Sequence, residues 1–482
     1  MAVGRRGIER RGIEAVPPQE RTVRAAGLFP IWFAANIGVL SFVLGAVLAS
    51  FGLDLLQAAS VDLVATIGSF CLVGVVSVAG ARSGLPSLTL SRAAFGRVGN
   101  FGPAALNWLS ILGWEVVGSV VTAWVIVELV GVSTGVHPSR SLDVVALGAS
   151  VAVSLGIGVA GYETILRFQR AASVGFGILS VPVTALLLAR VHWTADLHAK
   201  AASPGAALAA GSIIAAGTGV SWLNLAADYS RYVRRDEPAS AICAWVTVAA
   251  SLPVTVLVLA GYLLAGQVHG LAAAPDPVVS LGHVLPRAMS VPFLVFAAGG
   301  MAAETDLACY SSGLALLALG VRARRSRTVA LDAGVVAAVG LWTVLRSGRF
   351  LAGFESFLEC LADPIAAWAG VVVIHTALGA RVRRWRGEEA LPAHYRARRG
   401  VDGVGLASWA GATMLGLATT VTPWYRGPLT MGLMGQGGFG WAIAFVAAAA
   451  AAVLGCLPPR GLVALRGASA RPGGRLQPRQ TE

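Results

Sequence analysis

Long apolar runs that hold few charged residues recur along the whole sequence. A helix needs about 20 mainly apolar residues to cross a bilayer, and these runs are close to or above that length. Their residues do not alternate between polar and apolar, as the strands of a transmembrane barrel do. We therefore predict an all-α integral membrane protein with twelve transmembrane helices, at 28–53, 59–80, 103–131, 142–163, 170–191, 206–228, 240–265, 290–320, 328–345, 350–378, 402–422 and 437–458.

The basic residues lie in short blocks between these runs, so the net charge of +13 does not form the basic face of a nucleic-acid-binding protein. Most of the 37 Lys and Arg residues fall on one side of the predicted membrane. Because cytoplasmic loops carry excess positive charge, we predict a multi-pass protein of the cell (inner) membrane with a cytoplasmic N-tail (1–27) and C-tail (459–482). Arg-, Gly- and Pro-rich stretches at 1–24 and 460–482 are predicted to be disordered.

Two blocks, 28–191 and 206–378, each contain five predicted helices. Because five is odd, the second block enters the membrane in the opposite orientation, which is the inverted repeat common among secondary transporters. Helices 11 and 12, at 402–458, lie outside this five-plus-five repeat. In such folds the binding site lies at mid-membrane, where corresponding helices of the two repeats are interrupted.

The first helix of each block contains a candidate interruption, at 33–38 in helix 1 and at 217–221 in helix 6. Glycine and other small residues let a helix unwind there, which frees carbonyls for a cation and a half-helix N-terminus for a polar ligand. Asn36 is predicted to contact the substrate, and Ala35 and Gly38 are predicted to contribute to cation coupling. Close helix packing through glycine is the alternative interpretation.

Two acidic residues lie near the centres of predicted helices, Glu115 in helix 3 and Glu304 in helix 8. A charged group at this depth costs about 2.5–3.5 kcal/mol on insertion scales, so such residues tend to mark a transport pathway or a proton relay. Both carboxyls are candidates for cation coupling, because either could stay protonated or exchange a proton during transport. The alternative is a neutral carboxyl that is hydrogen-bonded inside the bundle and has no coupling role.

Tryptophans accompany these features, since Trp114 precedes Glu115 and Trp222 follows the second candidate interruption. An aromatic plane beside a carboxyl suits a flat heterocycle, because the ring stacks while the acid binds ring nitrogens or an exocyclic amine. The sequence therefore favours a heterocyclic substrate.

Further acidic residues lie toward the ends of predicted helices. Asp228 and Arg231 are spaced i, i+3 at the end of helix 6, where they form either a gate or a simple ion pair. Glu355, Glu359 and Asp363 form one stripe on helix 10, which either lines a vestibule or is merely solvated.

The sequence has no P-loop, GxSxG or HExxH motif. Its five cysteines lie in apolar segments without the spacing of a metal site or a disulfide framework. We predict that the protein is not an enzyme, that it holds no metal or organic cofactor, and that an ion gradient of protons or sodium drives it.

Several ordered motifs resemble those of the nucleobase-cation symporter family, in its purine and cytosine permease branch. They are GIERRGIEAVP at 7–17, IWFAAN at 31–36, NWL at 107–109, GWE at 113–115, ADYSRY at 227–232 and YSSGL at 310–314. The resemblance covers residues 7–390. It implies a five-plus-five inverted repeat with broken helices 1 and 6, and import of nucleobases, hydantoins or related vitamins with a proton or a sodium ion.

The resemblance also implies roles for single residues. Trp114 matches the helix 3 tryptophan that stacks on the substrate ring, and Gly118 stands where the hydantoin-type branch has a substrate-binding glutamine. Trp222 takes the place of an aromatic residue near Gly219. The substrate-binding residues predicted in this way are Asn36, Trp114, Glu115, Gly118, Gly219, Trp222, Glu304 and Thr305.

Helix 8 departs from the family pattern, since Glu304 and Thr305 stand where purine and cytosine permeases often have paired asparagines. Sodium-coupled relatives use hydroxyls about one turn earlier, where this chain has AAGG at 297–300. We therefore expect proton coupling through Glu304 or Glu115.

The leading hypothesis is a proton-coupled importer of a nucleobase-like heterocycle that works by alternating access. The expected partners are a small heterocyclic substrate and the lipid bilayer, with no nucleic acid. A sodium-coupled amino-acid or amine transporter of the same fold and a non-transporting membrane sensor are the alternatives.

Overall fold

The computed structural model describes residues 8–189, 201–265, 287–346, 349–379, 400–432 and 438–456. The secondary structure of these residues is helical, apart from two isolated bridges that join Val23 to Val233 and Val421 to Arg426. The helices are α1 (Phe29–Asn36), α2 (Leu40–Ala49), α3 (Leu55–Ser83), α4 (Ser87–Leu90), α5 (Arg92–Phe95), α6 (Phe101–Thr134), α7 (Arg140–Ala160), α8 (Tyr162–Leu188), α9 (Pro204–Gly217), α10 (Ala226–Ser230), α11 (Ala239–Ala265), α12 (Arg287–Leu319), α13 (Arg325–Arg346), α14 (Arg349–Gly379), α15 (Gly403–Thr419) and α16 (Gly440–Cys456).

Eight helices in the described ranges are long and apolar enough to cross a membrane, with mean hydropathies from 1.3 to 2.2. The bent pair formed by α1 and α2 would make a ninth span. Each predicted apolar run overlaps a helix of the structure, including α8, α15 and α16 at the remaining three positions. The protein is therefore an all-α membrane protein, as predicted.

Two helices are interrupted at the positions that the glycines indicate. α1 ends at Asn36 and α2 begins at Leu40, with an angle of 66° between the two parts. α9 ends at Gly217, and Thr218 takes φ −111° and ψ −109°, which is not a helical conformation. A 3₁₀ turn at Gly219–Trp222 and the short α10 continue from there. The ends of four half-helices are thus left without continuous backbone hydrogen bonding.

The two broken helices lie among long, regular ones. α11 packs along α2 and α3, while α6 packs along α12 and also contacts α13 and α14. Local signals define α3: the Asp54 carboxylate accepts a hydrogen bond from the Gln57 N–H at 2.7 Å, and Gly84, with φ of +71°, ends the helix. These helices form the walls against which the interruptions are held.

Residues 8–24, which we call the N-terminal segment, are ordered, so the prediction of disorder is wrong for this stretch. Arg21 is buried and donates hydrogen bonds to the carbonyls of Val16 at 2.8 Å, Ala81 at 2.9 Å and Ser83 at 3.1 Å. Composition suggested a solvated tail, but these carbonyls at the end of α3 satisfy the guanidinium and fix the segment. The rest of the predicted disorder, at 1–7 and 460–482, lies outside the described residues.

Candidate functional site

A cavity of about 200 Å³ lies where the two interrupted helices meet. It is lined by the ends of α1 and α9, by the chain after each break, and by α6 and α12. Residues of α14 and of the segments beside α15 and α16 also line it. The residues used below are Ala35, Asn36, Gly38, Ser110, Trp114, Gly217, Thr218, Ser221, Trp222, Glu304, Glu359, Asp363 and Thr420.

A second cavity, of about 30 Å³, adjoins the first. It shares Trp114, Gly217, Ser221, Trp222 and Glu304 with the larger one, and Thr305 lines only the smaller one. These five shared residues therefore mark the narrow point between the two spaces.

Two indoles, those of Trp114 and Trp222, border this narrow point. Trp222 follows the α9 interruption and is held edge-on against Trp32, with ring centroids 5.8 Å apart and an interplanar angle of 80°. Trp32 is in turn edge-on to Tyr229, with ring centroids 6.3 Å apart, so the contact between Trp32 and Trp222 is itself packed against a third ring. We call Trp222, Trp32 and Tyr229 the aromatic wall. Trp114 approaches from α6. Such surfaces suit the faces of a flat ring.

Glu304 is the carboxyl nearest to the first interruption. A Cβ placed on Gly38 would lie 3.5 Å from Glu304 Oε2, so the acid lies directly against the break. Among the described residues, the Glu304 carboxyl has no hydrogen-bond or ion-pair partner. It faces both cavities and is free to bind a ligand or a proton.

The ionisable residues that line the larger cavity are all acidic in the described part of the chain: Glu304, Glu359 and Asp363. Asp363 accepts a hydrogen bond from Thr420 Oγ1 at 2.6 Å. Glu359 and Asp363 thus line a vestibule, which was one of the two interpretations of the helix 10 stripe. The side chain of Glu355 lies outside the described residues. Carboxyls without a basic neighbour make the cavity electronegative.

Most of the predicted site residues come together here. Ala35, Asn36, Gly38, Trp114 and Trp222 line the larger cavity with Glu304. The Asn36 amide donates to the Trp32 carbonyl at 2.8 Å, which leaves its oxygen available. Thr305 donates to the Met301 carbonyl at 2.7 Å and lines the smaller cavity.

Three residues that were predicted to bind substrate or couple the cation do not line either cavity: Glu115, Gly118 and Gly219. A Cβ on Gly118 would collide with Thr305 Oγ1, so this glycine permits the close approach of α6 and α12. A Cβ on Gly219 would collide with the backbone at Ser69, whose hydroxyl accepts the Gly219 N–H at 3.2 Å. Both glycines therefore act in helix packing, the alternative interpretation for glycine in a membrane.

Glu115 points away from the cavity although it follows Trp114 directly. Successive helical residues are turned by about 100°, so adjacent side chains face different neighbours. Glu115 lies against Asp332 of α13 and against Ser312 and Cys309 of α12.

The interpretation of Asp228 and Arg231 as a helix-end ion pair is wrong. Asp228 Oδ1 accepts the N–H of Ser87 at 2.7 Å, at the start of α4. The Arg231 guanidinium instead binds Glu9 at 3.3 Å and the Gly12 carbonyl at 2.7 Å. Asp228 therefore binds a backbone N–H that is free at a helix start, and Arg231 binds the N-terminal segment.

Glu9 is the residue that sequence reasoning missed at this end of the molecule. Its carboxylate accepts hydrogen bonds from the Tyr232 hydroxyl at 2.5 Å, the Tyr310 hydroxyl at 3.2 Å and the Tyr162 N–H at 2.8 Å. Burial raises the pKa of Tyr232 to about 12, so this phenol stays protonated and remains a donor. The motif at 7–17 was the available signal for this contact.

Other buried acids lie outside the cavities. Asp62 on α3 accepts a hydrogen bond from Thr66 at 3.0 Å, and Asp306 on α12 accepts one from the Gln169 amide at 2.9 Å. Asp332 accepts the Trp108 indole N–H at 2.9 Å. Each lies inside an apolar run of the sequence, which was the signal that could have identified it.

A family model described as a permease for cytosine/purines, uracil, thiamine and allantoin matches residues 15–444. The purine-cytosine permease fcyB of Emericella nidulans is 25% identical over 92% of this chain and 87% of its own. The putative purine-cytosine permease YxlA of Bacillus subtilis is 28% identical over 48% of this chain. That alignment spans 49% of the Bacillus protein, and the one with the Saccharomyces cerevisiae purine-cytosine permease FCY2 spans 42% of the yeast protein.

Among solved structures, the fold is similar to that of Mhp1, a nucleobase-cation-symport-1 family transporter in a closed conformation with bromovinylhydantoin bound. The TM-score is 0.71 at 19% identity, over 96% of both chains. MhsT in complex with L-phenylalanine is similar at a TM-score of 0.55 and 13% identity, over 92% of this chain and 98% of that one. The family model covers most of the sequence, so this chain belongs to the family of permeases for cytosine, purines, uracil, thiamine and allantoin.

Proposed function

We propose that the protein is a secondary transporter that imports a nucleobase-like heterocycle together with a proton by alternating access. In this proposal the chain crosses the cell membrane twelve times, as two inverted five-helix repeats followed by two helices, with both termini in the cytoplasm. The family, the eight apolar helices and the two interrupted helices support it.

The observation that carries the proposal is the position of Glu304. This acid lines both cavities, lies against the α1–α2 interruption and shares the narrow point with Trp114 and Trp222. A heterocycle stacked on the indoles would bring its polar edge to this carboxyl. Protonation of the same carboxyl would therefore change its interaction with the substrate directly. Coupling requires such a change.

The charge of the cavity defines the class of substrate further. Glu304, Glu359 and Asp363 would attract a neutral or cationic heterocycle that carries N–H donors. They would repel an anionic base, because the described cavity lining has no basic side chain to offset a negative charge.

The coupling cation is proposed to be a proton. The α12 segment one turn before Glu304 contains Ala297, Ala298, Gly299 and Gly300, which offer only backbone oxygens toward the break. A sodium ion prefers a shell of several oxygen ligands, whereas a proton needs only the carboxyl. Ala35 and Gly38 would still offer carbonyls, so sodium is retained as an outcome of the test.

The two ends of the molecule differ in a way that suits alternating access. The cavity extends along α2 to Val47, toward the end where α3 begins. At the opposite end of α3, the N-terminal segment bonds to carbonyls of Ala81 and Ser83, and its Glu9 binds residues near α8, α10 and α12. We propose that this conformation is open to the outside and closed to the cytoplasm.

The test is uptake of radiolabelled cytosine, adenine and uracil by proteoliposomes under an imposed pH gradient, with and without a sodium gradient. We expect accumulation that follows the pH gradient in the unmodified protein. Glu304→Gln should lose this dependence, and Glu163→Gln should keep it, because Glu163 is an exposed acid paired with Arg167.

Three results would contradict parts of the proposal. Uptake that depends only on sodium would replace the proton as the coupling ion. Full pH dependence in Glu304→Gln would remove Glu304 from coupling. Binding without counterflow would favour a sensor, and transport of amino acids but not bases would favour the amino-acid alternative.

A further inference from the structure

Two carboxyls face each other in the interior between α6 and α13, outside both cavities. Glu115 is 1% exposed and Asp332 is fully buried. The two side chains are within hydrogen-bonding reach of each other. The Trp108 indole N–H donates to Asp332 Oδ1 at 2.9 Å and holds this carboxyl in place.

Within the described ranges, no cation compensates the pair. Two basic residues of α13 precede Asp332: Arg325, two turns before it, whose guanidinium binds the carbonyls of Gly158 at 2.6 Å and Val159 at 2.8 Å, and Arg327, which is exposed. α7 packs on both α6 and α13, and its charged residues, Arg140 and Asp143, lie in its first turn.

The remaining titratable neighbours are neutral or acidic. Cys309 and Asp306 approach from α12, and Tyr229 approaches from α10. Asp306 is itself bound to the Gln169 amide, and the Tyr229 hydroxyl is bound to the Leu307 carbonyl and to Ser311. None of these groups supplies a positive charge to the two carboxyls.

Three buried oxygens at this place have no hydrogen-bond partner within the described residues: Glu115 Oε1, Asp332 Oδ2 and Ser312 Oγ. Ser312 is fully buried on α12 and lies beside both acids. Two like charges in contact without solvent strongly disfavour double ionisation, so such a pair holds a proton. The unpartnered buried hydroxyl beside the pair can donate a hydrogen bond to a carboxyl oxygen.

We propose that Glu115 and Asp332 form a two-carboxyl site that binds one proton, which joins α6 to α13 and positions Trp114 at the cavity. The proton is covalently bound to one carboxyl and hydrogen-bonded to the other, so the pair carries one negative charge. That charge is stabilised by the Trp108 N–H, and the Ser312 hydroxyl can donate to it as well.

The sequence suggested two acids for coupling, Glu115 and Glu304, and this site gives them different roles. The proton of the pair is held away from the cavity and is retained while substrate passes, which leaves Glu304 as the acid that exchanges a proton with the transport pathway. Only this consequence rests on the proposed function, because the existence of the site does not require transport.

Infrared spectroscopy of the purified protein tests the proton count, since a protonated carboxyl has a carbonyl stretching band distinct from that of a carboxylate. Glu115→Gln and Asp332→Asn replace the shared proton with an amide N–H that can donate to the remaining carboxylate. We expect each single variant to lose the band area of one carboxyl, and the double variant to lose the same area and no more. Glu163→Gln, at an exposed position, should lose none.

Two spectroscopic results would overturn the proposal. A double variant that loses the area of two carboxyls would show two independently protonated acids, and a double variant that loses none would show two carboxylates. If the double variant fails to fold, a single variant that loses the area of one carboxyl still excludes two carboxylates.

Cytosine binding tests the positioning role. Glu115→Gln and Asp332→Asn keep the hydrogen bond and should change the cytosine dissociation constant by less than about threefold, whereas Asp332→Leu should weaken binding about tenfold or more. Equal losses in Asn and Leu variants would refute positioning through the hydrogen bond. If the unmodified protein binds no base at all, the proposed function fails while the infrared result still stands.

Discussion

Replacing Glu9 with alanine should release the N-terminal segment from the end of the bundle that it closes. The Glu9 carboxylate binds Arg231 at 3.3 Å and also accepts hydrogen bonds from Tyr232, Tyr310 and the Tyr162 N–H. The Arg231 side chain is fully buried and that of Glu9 is 15% exposed. The substitution therefore leaves a buried guanidinium without its counter-ion.

The expected magnitude follows from these contacts. Removing one member of a buried ion pair costs about 3–5 kcal/mol. The lower end applies here, because Arg231 keeps the Gly12 carbonyl at 2.7 Å and the Tyr310 hydroxyl at 2.7 Å. A loss of about 3 kcal/mol corresponds to an increase of about 150-fold in the open fraction of the segment.

Hydrogen exchange followed by mass spectrometry measures this opening. The amides of Val16 and Val23 are suitable reporters, because they bond to the carbonyls of Gly84 and Tyr232 at 2.9 and 3.1 Å and make no contact with the substituted carboxylate. If the segment opens as a unit, their protection should fall by about two orders of magnitude in Glu9→Ala.

Glu20→Ala is the matched control on the same segment. Glu20 pairs with Arg11 at 2.6 Å, but its side chain is 55% exposed. An exposed pair contributes at most about 1 kcal/mol, so protection should change by less than about sixfold. If Glu9→Ala changes protection no more than Glu20→Ala does, the idea that Glu9 closes this end is refuted.

Three further predictions concern the site. Trp222→Ala should weaken cytosine binding about 10-fold or more in a calorimetric titration. Trp245→Ala, at a 41% exposed position, should leave the dissociation constant within a factor of two. Equal effects of the two substitutions would refute the role of the aromatic wall in binding. Gly118→Ala should lower the free energy of unfolding by about 1–3 kcal/mol, because its methyl group collides with Thr305 Oγ1. Adding Thr305→Ala to the same chain should restore part of the lost stability, and additive losses of stability from the two substitutions would contradict this contact. Orotate, which adds a carboxylate to uracil, should not compete with uracil for uptake, and effective competition would show that the acidic cavity does not select against anions.

The helices and their interruptions could be predicted because they depend on local properties of the sequence. Apolar length determines where a helix can lie in a membrane. Glycine near 38 and at 217–219 marks where a helix can unwind at a low cost in free energy. Glu304 could be identified for the same reason, since an acid inside an apolar run is rare whichever way it points.

The orientation of side chains about a helix axis could not be predicted. Trp114 and Glu115 are adjacent, but one lines the cavity while the other binds Asp332, because one residue turns a helix by about 100°. The spacing of Asp228 and Arg231 suggested a pair, but their partners come from residues 87 and 9, far away in the sequence. Such choices depend on tertiary neighbours, which a single sequence does not specify.

Glu304 is proposed to exchange the coupling proton at the point where substrate binds. The most direct test of this role is the internal pH of proteoliposomes, recorded with a trapped fluorescent indicator after cytosine is added outside without any sodium. We predict that cytosine acidifies vesicles that contain the unmodified protein or Glu163→Gln, and that Glu304→Gln vesicles exchange cytosine without acidification. Acidification by Glu304→Gln equal to that of the unmodified protein would show that Glu304 does not carry the coupling proton.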